Sequence, residues 1–231
     1  MQLFFSEHIN DNEVILDKVE SHHCVHVLRK IKGDIITVID GKGSFIEAEI
    51  IYANAKQVTA QIKAIIKEEI TPPHLHIAIA PTKNMERFEW FLEKATELGV
   101  AEITPIICRH SERRNLNEER CNKILLSAIK QSGKAMLPKV NTLMPFEKFI
   151  KEAKAQNKFI AHCYRSEKTT LKGALNGNDI LIAIGPEGDF NLAEVDTAKQ
   201  NGFKDLSLGK SRLRTETAGV YVCAVLNASA Q

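Results

Sequence analysis

The sequence predicts a two-domain α/β protein, a small β-barrel over residues 1–70 followed by a parallel sheet covered by helices over residues 71–231. Three observations predict it. Up to about residue 66 the chain runs in short alternating or β-branched segments, as half-buried strands do. Beyond residue 73, strand patterns alternate with helix patterns, for which a parallel sheet is the expected solution. Between the two lies Lys67-Glu68-Glu69-Ile70-Thr71-Pro72-Pro73, charged and carrying two prolines that cannot continue regular pairing, which marks a linker or boundary.

In the first domain the strand segments are QLFF, EVILD, DIITVID, SFIEAEIIYA and QVTAQIKAII, with one short helix from about Lys18 to Arg29. Asp40-Gly41-Lys42-Gly43 separates two of them and signals a hairpin, because glycine accepts the positive φ of a tight turn. The second domain begins with the strand HLHIAIA. A helix from about Asn84 to Leu98 then sets Met85, Phe88, Phe91, Leu92, Ala95 and Leu98 at steps of three and four, one apolar stripe. EITPIIC follows as a strand, then a helix from about Asn117 to Ala135. FIAHC, DILIAIG, a helix after Phe190, KDLSLG and a final helix from about Thr215 complete the pattern. That last helix, ETAGVYVCAVLNASA, is apolar almost all the way round. It is expected to be buried on more than one side, within the domain or against a second copy of the chain, and a homodimer is the natural expectation.

Composition bounds the reading more loosely. With 231 residues, 44% of them hydrophobic, the chain can bury a main core and a smaller one. Lys and Arg number 31 against 29 Asp and Glu, and a net charge of +2 neither demands nor excludes an anionic partner. The five cysteines are scattered, without a C-x-x-C pair, which argues against a disulfide framework and a thiolate metal site and for a reducing compartment. No stretch approaches the roughly 20 apolar residues of a membrane span, so a soluble cytoplasmic protein is expected.

Three loops follow strand patterns of the second domain: Gly185-Pro186-Glu187-Gly188, Leu208-Gly209-Lys210, and Leu213-Arg214-Thr215-Glu216-Thr217-Ala218. Ligands of open α/β sheets sit beyond the carboxyl ends of strands, where glycine lets backbone groups approach them closely. Together the loops suggest one pocket, although each glycine could merely end a strand and Arg214-Thr215-Glu216-Thr217 could be an ordinary helix start. Neither G-x-x-x-x-G-K-[ST] nor a complete G-x-G-x-x-G occurs, so nucleoside triphosphates and nicotinamide cofactors lose ground.

Several segments in order resemble the signature of the 16S ribosomal RNA uridine-N3 methyltransferases, of the SPOUT superfamily. They are His23-x-x-x-Val27-Leu28-Arg29 with Gly33-Asp34, the run Glu93 to Val100, Gln131-Ser132 before Pro138, Ile184 to Gly188, and Leu208-Gly209 followed by Leu213 to Ala218. The resemblance spans nearly the whole chain. It implies a PUA-like RNA-gripping barrel and a C-terminal α/β domain, trefoil-knotted and dimeric, that binds S-adenosylmethionine (SAM). By the same resemblance the cofactor residues are Gly185, Pro186, Glu187, Gly188, Leu208, Gly209, Leu213, Arg214, Thr215, Glu216, Thr217 and Ala218, with His162 a neighbour. The family often has a second glycine where this chain has Asp189, and an arginine where it has His110. Asp189 could cap the next helix, and His110 in place of an arginine would weaken a phosphate contact.

Methyl transfer from a sulfonium asks the protein chiefly to hold donor and acceptor in line and needs no metal. The acceptor N3 is a weakly acidic imide, so a cation should stabilise the developing anion or a base should take the proton. Arg214 is the candidate cation. Glu216 and His162 are candidate bases, with structural roles open for both. N3 lies on the pairing edge, so the uridine must be unstacked or presented in an open loop. Candidate RNA contacts are His23, Arg29 and Lys30 in the first domain and Lys83, Arg87, Arg109, Arg113, Arg114, Lys130 and Lys134 in the second. His22 and His26, one helical turn apart, would need further ligands to hold a metal, and none is evident. The rival readings are a SPOUT enzyme acting on another RNA and a ribosome-assembly module that binds SAM or RNA without turnover.

Overall fold

In the computed structural model, residues 2–69, 73–174 and 177–229 are described, so residues 70–72 of the expected linker lie outside the described residues. The chain divides into two compact units, residues 1–70 with 126–137, and residues 71–125 with 138–231.

The first unit is built on β1 (Leu3–Phe5), β2 (His8–Ile9), β3 (Glu13–Leu16), α1 (Lys18–His22), β4 (Ile35–Ile39), β5 (Ser44–Asn54) and β6 (Gln57–Lys67). Its sheet has the order β1-β4-β5-β6-β3-β2. β1 and β2 are the two edges, yet only Ser6 and Glu7 separate them in the chain. A connection that short requires the sheet to curl until its edges nearly meet. Register shifts in the β5–β6 pairing, between Glu47 and Ala48 and between Ile50 and Tyr52, supply bends of the kind that curl a sheet. Alternate residues point inward, and Phe4, Val14, Leu16, Cys24, Ile36, Val38, Ile46, Ala48, Ile50, Val58 and Ala60 fill the interior. The expected hairpin at Asp40–Gly43 forms, with Ile39 opposite Phe45 and with Gly41 and Gly43 at φ +71° and +87°.

The expected helix from Lys18 to Arg29 is α-helical only through His22 and continues as a π-helical turn, His23–Val27. It ends where Arg29 takes a left-handed φ of +54° and Lys30 N donates to Cys24 O at 3.0 Å. Residues 126–137 join this unit through Ile129, Ala135, Leu126 and Leu137, which pack on Leu3 and Ile39. Lys130, one of the candidate RNA contacts, pairs with the buried Glu20.

The second unit carries β7 (His74–Ile79), α2 (Met85–Glu97), β8 (Glu102–Ile107) and the start of α3 (Glu118–Ser132). It continues through β9 (Lys139–Val140), β10 (Met144–Pro145), α4 (Phe146–Glu152), β11 (Asn157–Ala161), β12 (Thr169–Thr170), α5 (Leu171–Ala174), β13 (Asp179–Ile184), α6 (Leu192–Gln200), β14 (Lys204–Ser207) and α7 (Thr215–Ser229). α3 stops short of the expected Ala135 because Gly133, at φ +72°, ends it. The sheet order is β10-β8-β7-β13-β11-β14-β12, with β9 beside β8, and the strand pairs are parallel.

β7 and β13 are the central strands, and their runs HLHIAI and DILIAI are apolar on both faces because helices cover both. On one face Ala78, Ala80, Ile160, Leu181 and Ala183 meet Phe146, Phe149 and Ile150 of α4 and Val195 and Ala198 of α6. On the other, Phe88, Phe91, Leu92 and Ala95 of α2 are buried, and α2 packs on α7. A Cβ at Gly219 of α7 would stand 2.4 Å from the Phe91 ring and 3.3 Å from Ile79, so the helices approach at a distance only glycine permits. Beyond Gly219, α7 keeps an outer side with Tyr221 at 41% exposure; within one chain it is buried on one side only.

His76 is half-buried at the start of the sheet, where its Nε2 lies 2.7 Å from Thr104 Oγ1, and Asn141 bonds both Thr104 and Glu102. Burial, outweighing the pull of Glu102, pushes its pKa down from 6.5 to about 4. The folded protein therefore binds fewer protons here than the unfolded chain. The contribution is fully present above pH 6.5 and is lost as pH falls toward 4. Chemical denaturation at pH 7.5 and pH 4 should show wild type losing about 3 kcal/mol more than His76→Gln.

Candidate active site

Parallel pairing aligns the carboxyl ends of three neighbouring strands: Ala161 of β11 pairs with Ile184 of β13 and with Leu206 of β14. His162, the Gly185 loop and the Leu208-Gly209 loop therefore leave the sheet side by side, at the edge where open α/β sheets bind ligands.

The Gly185–Phe190 loop is a locked turn. Asp189 N donates to Pro186 O at 2.9 Å, and a Cβ at Gly185 would meet the backbone nitrogen and ring of Phe190 at 3.1 Å. Asp189, at φ +63°, accepts from Phe190 N and from Cys163 N, both at 2.8 Å. It does not cap the following helix. Asn191 does, in a reciprocal box with Glu194. Glu187 accepts from Lys83 N at 3.0 Å. His110 lies against the turn, its Nδ1 3.1 Å from the carbonyl oxygens of Gly188 and Asp189; since carbonyls only accept, Nδ1 carries the proton. Gly209 has φ +121° and open space around it, so glycine serves the backbone conformation there.

Thr215 joins the third loop to the first, donating from Oγ1 to Gly185 O at 3.0 Å. Arg214 accepts at its carbonyl from Ala218 N, which fixes the first turn of α7. Glu216 follows with only 8% of its side chain exposed, its Oε1 4.0 Å from Arg87 Nε and its Oε2 without a hydrogen-bond partner. Arg212, Leu213, Arg214, Glu216 and Thr217 line a cavity of about 600 Å³ with Glu86, Arg87 and Trp90 of α2. Three guanidinium groups around a buried carboxylate suit a polyanionic ligand that brings in a group able to lose a proton.

The description "RNA methyltransferase domain" matches residues 69–227, more than half of the chain, and "RNA methyltransferase PUA domain" matches residues 16–63. The chain belongs to the RNA methyltransferase family. The methyltransferase is 38% identical to a solved structure described as a probable rRNA-methyltransferase from Porphyromonas gingivalis, with all of both chains covered and a TM-score of 0.91. A structure of ribosomal RNA small subunit methyltransferase E from Neisseria gonorrhoeae, bound to S-adenosyl methionine, is 26% identical with a TM-score of 0.84, covering 99% of this chain and 98% of that one. Ribosomal RNA small subunit methyltransferase E of Rickettsia conorii is 27% identical over 96% of this chain and 93% of its own length. The α/β fold with a PUA-like domain agrees with these relatives.

Of the expected RNA contacts of the second domain, Lys83, Arg109 and Arg113 lie near the Gly185 turn, while Lys130 and Lys134 fall in the first unit. Arg113 donates to Lys83 O at 2.9 Å, Lys83 pairs with Glu112 at 2.7 Å, and Arg109 N donates to Glu194 at 2.7 Å. His23 and Arg29 belong to the first unit, where His23 lies edge-on to Phe4 with ring centres 6.2 Å apart and Arg29 is exposed. His22 and His26 do share a face, their rings 4.8 Å apart. Among the described residues, no group of three or more His, Cys, Asp or Glu side chains is placed to hold a metal ion.

Sequence reasoning missed Glu86 and Arg212 of the cavity wall and two further residues. Trp90, the only tryptophan of the chain, stands off the apolar stripe of α2 and is 42% exposed on the cavity wall. That off-stripe position was the available signal. Asp205 is buried beside His162, which its place in KDLSLG did not indicate.

Proposed function

We propose that this methyltransferase transfers a methyl group from SAM to N3 of a uridine in 16S ribosomal RNA of the small subunit, in the cytoplasm. The observation that carries the reading is the junction of the Gly185 and Thr215 loops beside a cavity bearing Arg214 and buried Glu216. Residues 185–188, 208–209 and 213–218 would hold the cofactor, with His162 beside them. They fit it. Gly185 permits a close backbone approach, and His162 Nδ1 is a buried polar atom without a protein partner, as expected where a ligand with many donors completes the site. SAM supplies the activated methyl. Arg214 stabilises negative charge on the uracil as N3 loses its proton, Glu216 is the group placed to take that proton, and Arg87 faces Glu216 and balances its charge.

In this reading the first unit grips RNA with His23 and Arg29, the second adds Lys83, Arg109 and Arg113, and the trefoil threading implied by the resemblance belongs to the SAM domain. The half-exposed Trp90 and Tyr221, on helices that pack together, support a homodimer joined through α2 and α7. No helix among the described residues is long and apolar enough to cross a membrane.

The test is transfer of radiolabelled methyl from SAM to small subunits purified from cells lacking this protein, followed by nucleoside analysis. Labelled 3-methyluridine is the expected product. SAM binding with no label in any ribosomal RNA would transfer the assignment to other RNAs or to a module without turnover.

A further inference from the structure

Three polar atoms in one buried place lack hydrogen-bond partners: His162 Nδ1, His162 Nε2 and Asp205 Oδ1. The two side chains are 1% and 6% exposed, and Nε2 lies 3.3 Å from Oδ1, close but misaligned. Buried groups left in this state need a physical explanation. The pair also stands between two of the glycine loops. Cys163 N, one residue on, donates to Asp189 of the Gly185 turn at 2.8 Å, and two residues beyond Asp205, Ser207 Oγ accepts from Gly209 N at 3.3 Å.

We propose that Asp205 is a positioning residue that fixes the tautomer of His162, so that the ring presents a bare Nδ1 as hydrogen-bond acceptor to a donor group of SAM. This rests on the assignment of His162 to the cofactor site. A carboxylate can only accept, so attraction across the 3.3 Å contact requires the proton on Nε2. In a neutral ring Nδ1 then keeps its lone pair, and SAM offers an ammonium, an exocyclic amine and ribose hydroxyls as donors.

The surroundings favour a neutral ring beside an ionised carboxylate. Burial, aided by Lys168, holds His162 below its ordinary pKa against the opposing pull of Asp205 and Asp189. Burial would raise Asp205, but Ser166, His162 and Lys199 together bring it below the usual carboxylate value. Lys168 Nζ donates to the His162 carbonyl oxygen, and the Tyr164 ring lies 5.7 Å from the imidazole. The Asp205 carboxylate is itself anchored by Lys199 Nζ at 3.4 Å.

Nitrogen-15 imidazole spectra of the full chain at pH 7.5, with His162 identified by its absence in His162→Asn, report the tautomer without any cofactor. The wild type should carry its proton on Nε2, and Asp205→Asn should populate both forms. Calorimetry of SAM binding, measured without RNA, should show Asp205→Asn weakened about tenfold, with KM for SAM raised and kcat nearly unchanged. His162→Asn, whose amide oxygen can stand where Nδ1 stood, should keep more SAM affinity than His162→Gln, whose amide reaches the Nε2 position. A wild-type ring protonated at Nδ1, or undiminished SAM affinity in Asp205→Asn, would overturn the proposal. If Asp205→Asn melts early, the wild-type tautomer and the Asn/Gln contrast still decide. Because the spectra and the calorimetry involve no RNA, failure of the ribosomal assignment leaves those two readouts interpretable.

Discussion

Arg214→Ala is expected to lower kcat for methyl transfer by about 10²–10³-fold, the loss typical when a preorganised group that meets developing charge is removed. The fold should survive, because Arg214 is exposed on the cavity wall and the contact it makes for α7 is a backbone one, Ala218 N to Arg214 O at 2.8 Å. SAM binding should change far less than kcat if the guanidinium acts on the uracil and not on the cofactor. Glu216→Gln, which keeps the shape of the buried side chain and removes its charge, should lose about 10²-fold. Single-turnover assays on small subunits, run beside calorimetric SAM titrations, separate the two effects. Unchanged transfer rates in both variants would remove these residues from the reaction.

Gly219→Ala should cost about 3 kcal/mol of stability, a large effect for one methyl group. The added carbon would meet the Phe91 ring at 2.4 and 2.6 Å, and Phe91 is itself fully buried between α2 and the sheet, with no free direction in which to turn. For a protein of this size the melting temperature should fall by roughly 6–12 °C. A smaller residue at 91 should recover part of the loss, so Phe91→Leu with Gly219→Ala should be more stable than the sum of the single losses predicts. Additive losses would mean that α2 and α7 relax apart at little expense, and the close approach would then not matter.

Elements whose pattern is strong and local were legible in the sequence. DILIAI reads as a strand buried on both faces, the stripe of Phe88, Phe91, Leu92 and Ala95 reads as a core-facing helix, and each forms as read. The helix α4 was not legible, because FEKFIKE is only 7 residues long and follows Pro145 without a side-chain cap. The π-helical turn at His23–Val27 was equally hidden, since adding one residue to a turn leaves no mark on composition. At the site, the glycine loops announced themselves by spacing, but their joining through Thr215 and Gly185 is a contact over 30 residues that no local pattern encodes. Asp205 illustrates the limit most plainly: a lone aspartate in an exposed-looking run turns inward only because β14 lies beside β11.

The order of strands also sets the time at which activity can begin. β7 meets β8 within about 30 residues of chain, but its other neighbour, β13, pairs His74 with Asp179, 105 residues later. Closing so long a loop is slow compared with local pairing, and until it happens the inner edge of β7 is an open template for another chain. During synthesis the first unit can draw residues 2–67 into its curled sheet early, while the three loops of the candidate site follow only after β13 has been made. A chain cut short before β13 would be a polypeptide with one finished half and one exposed edge, prone to association.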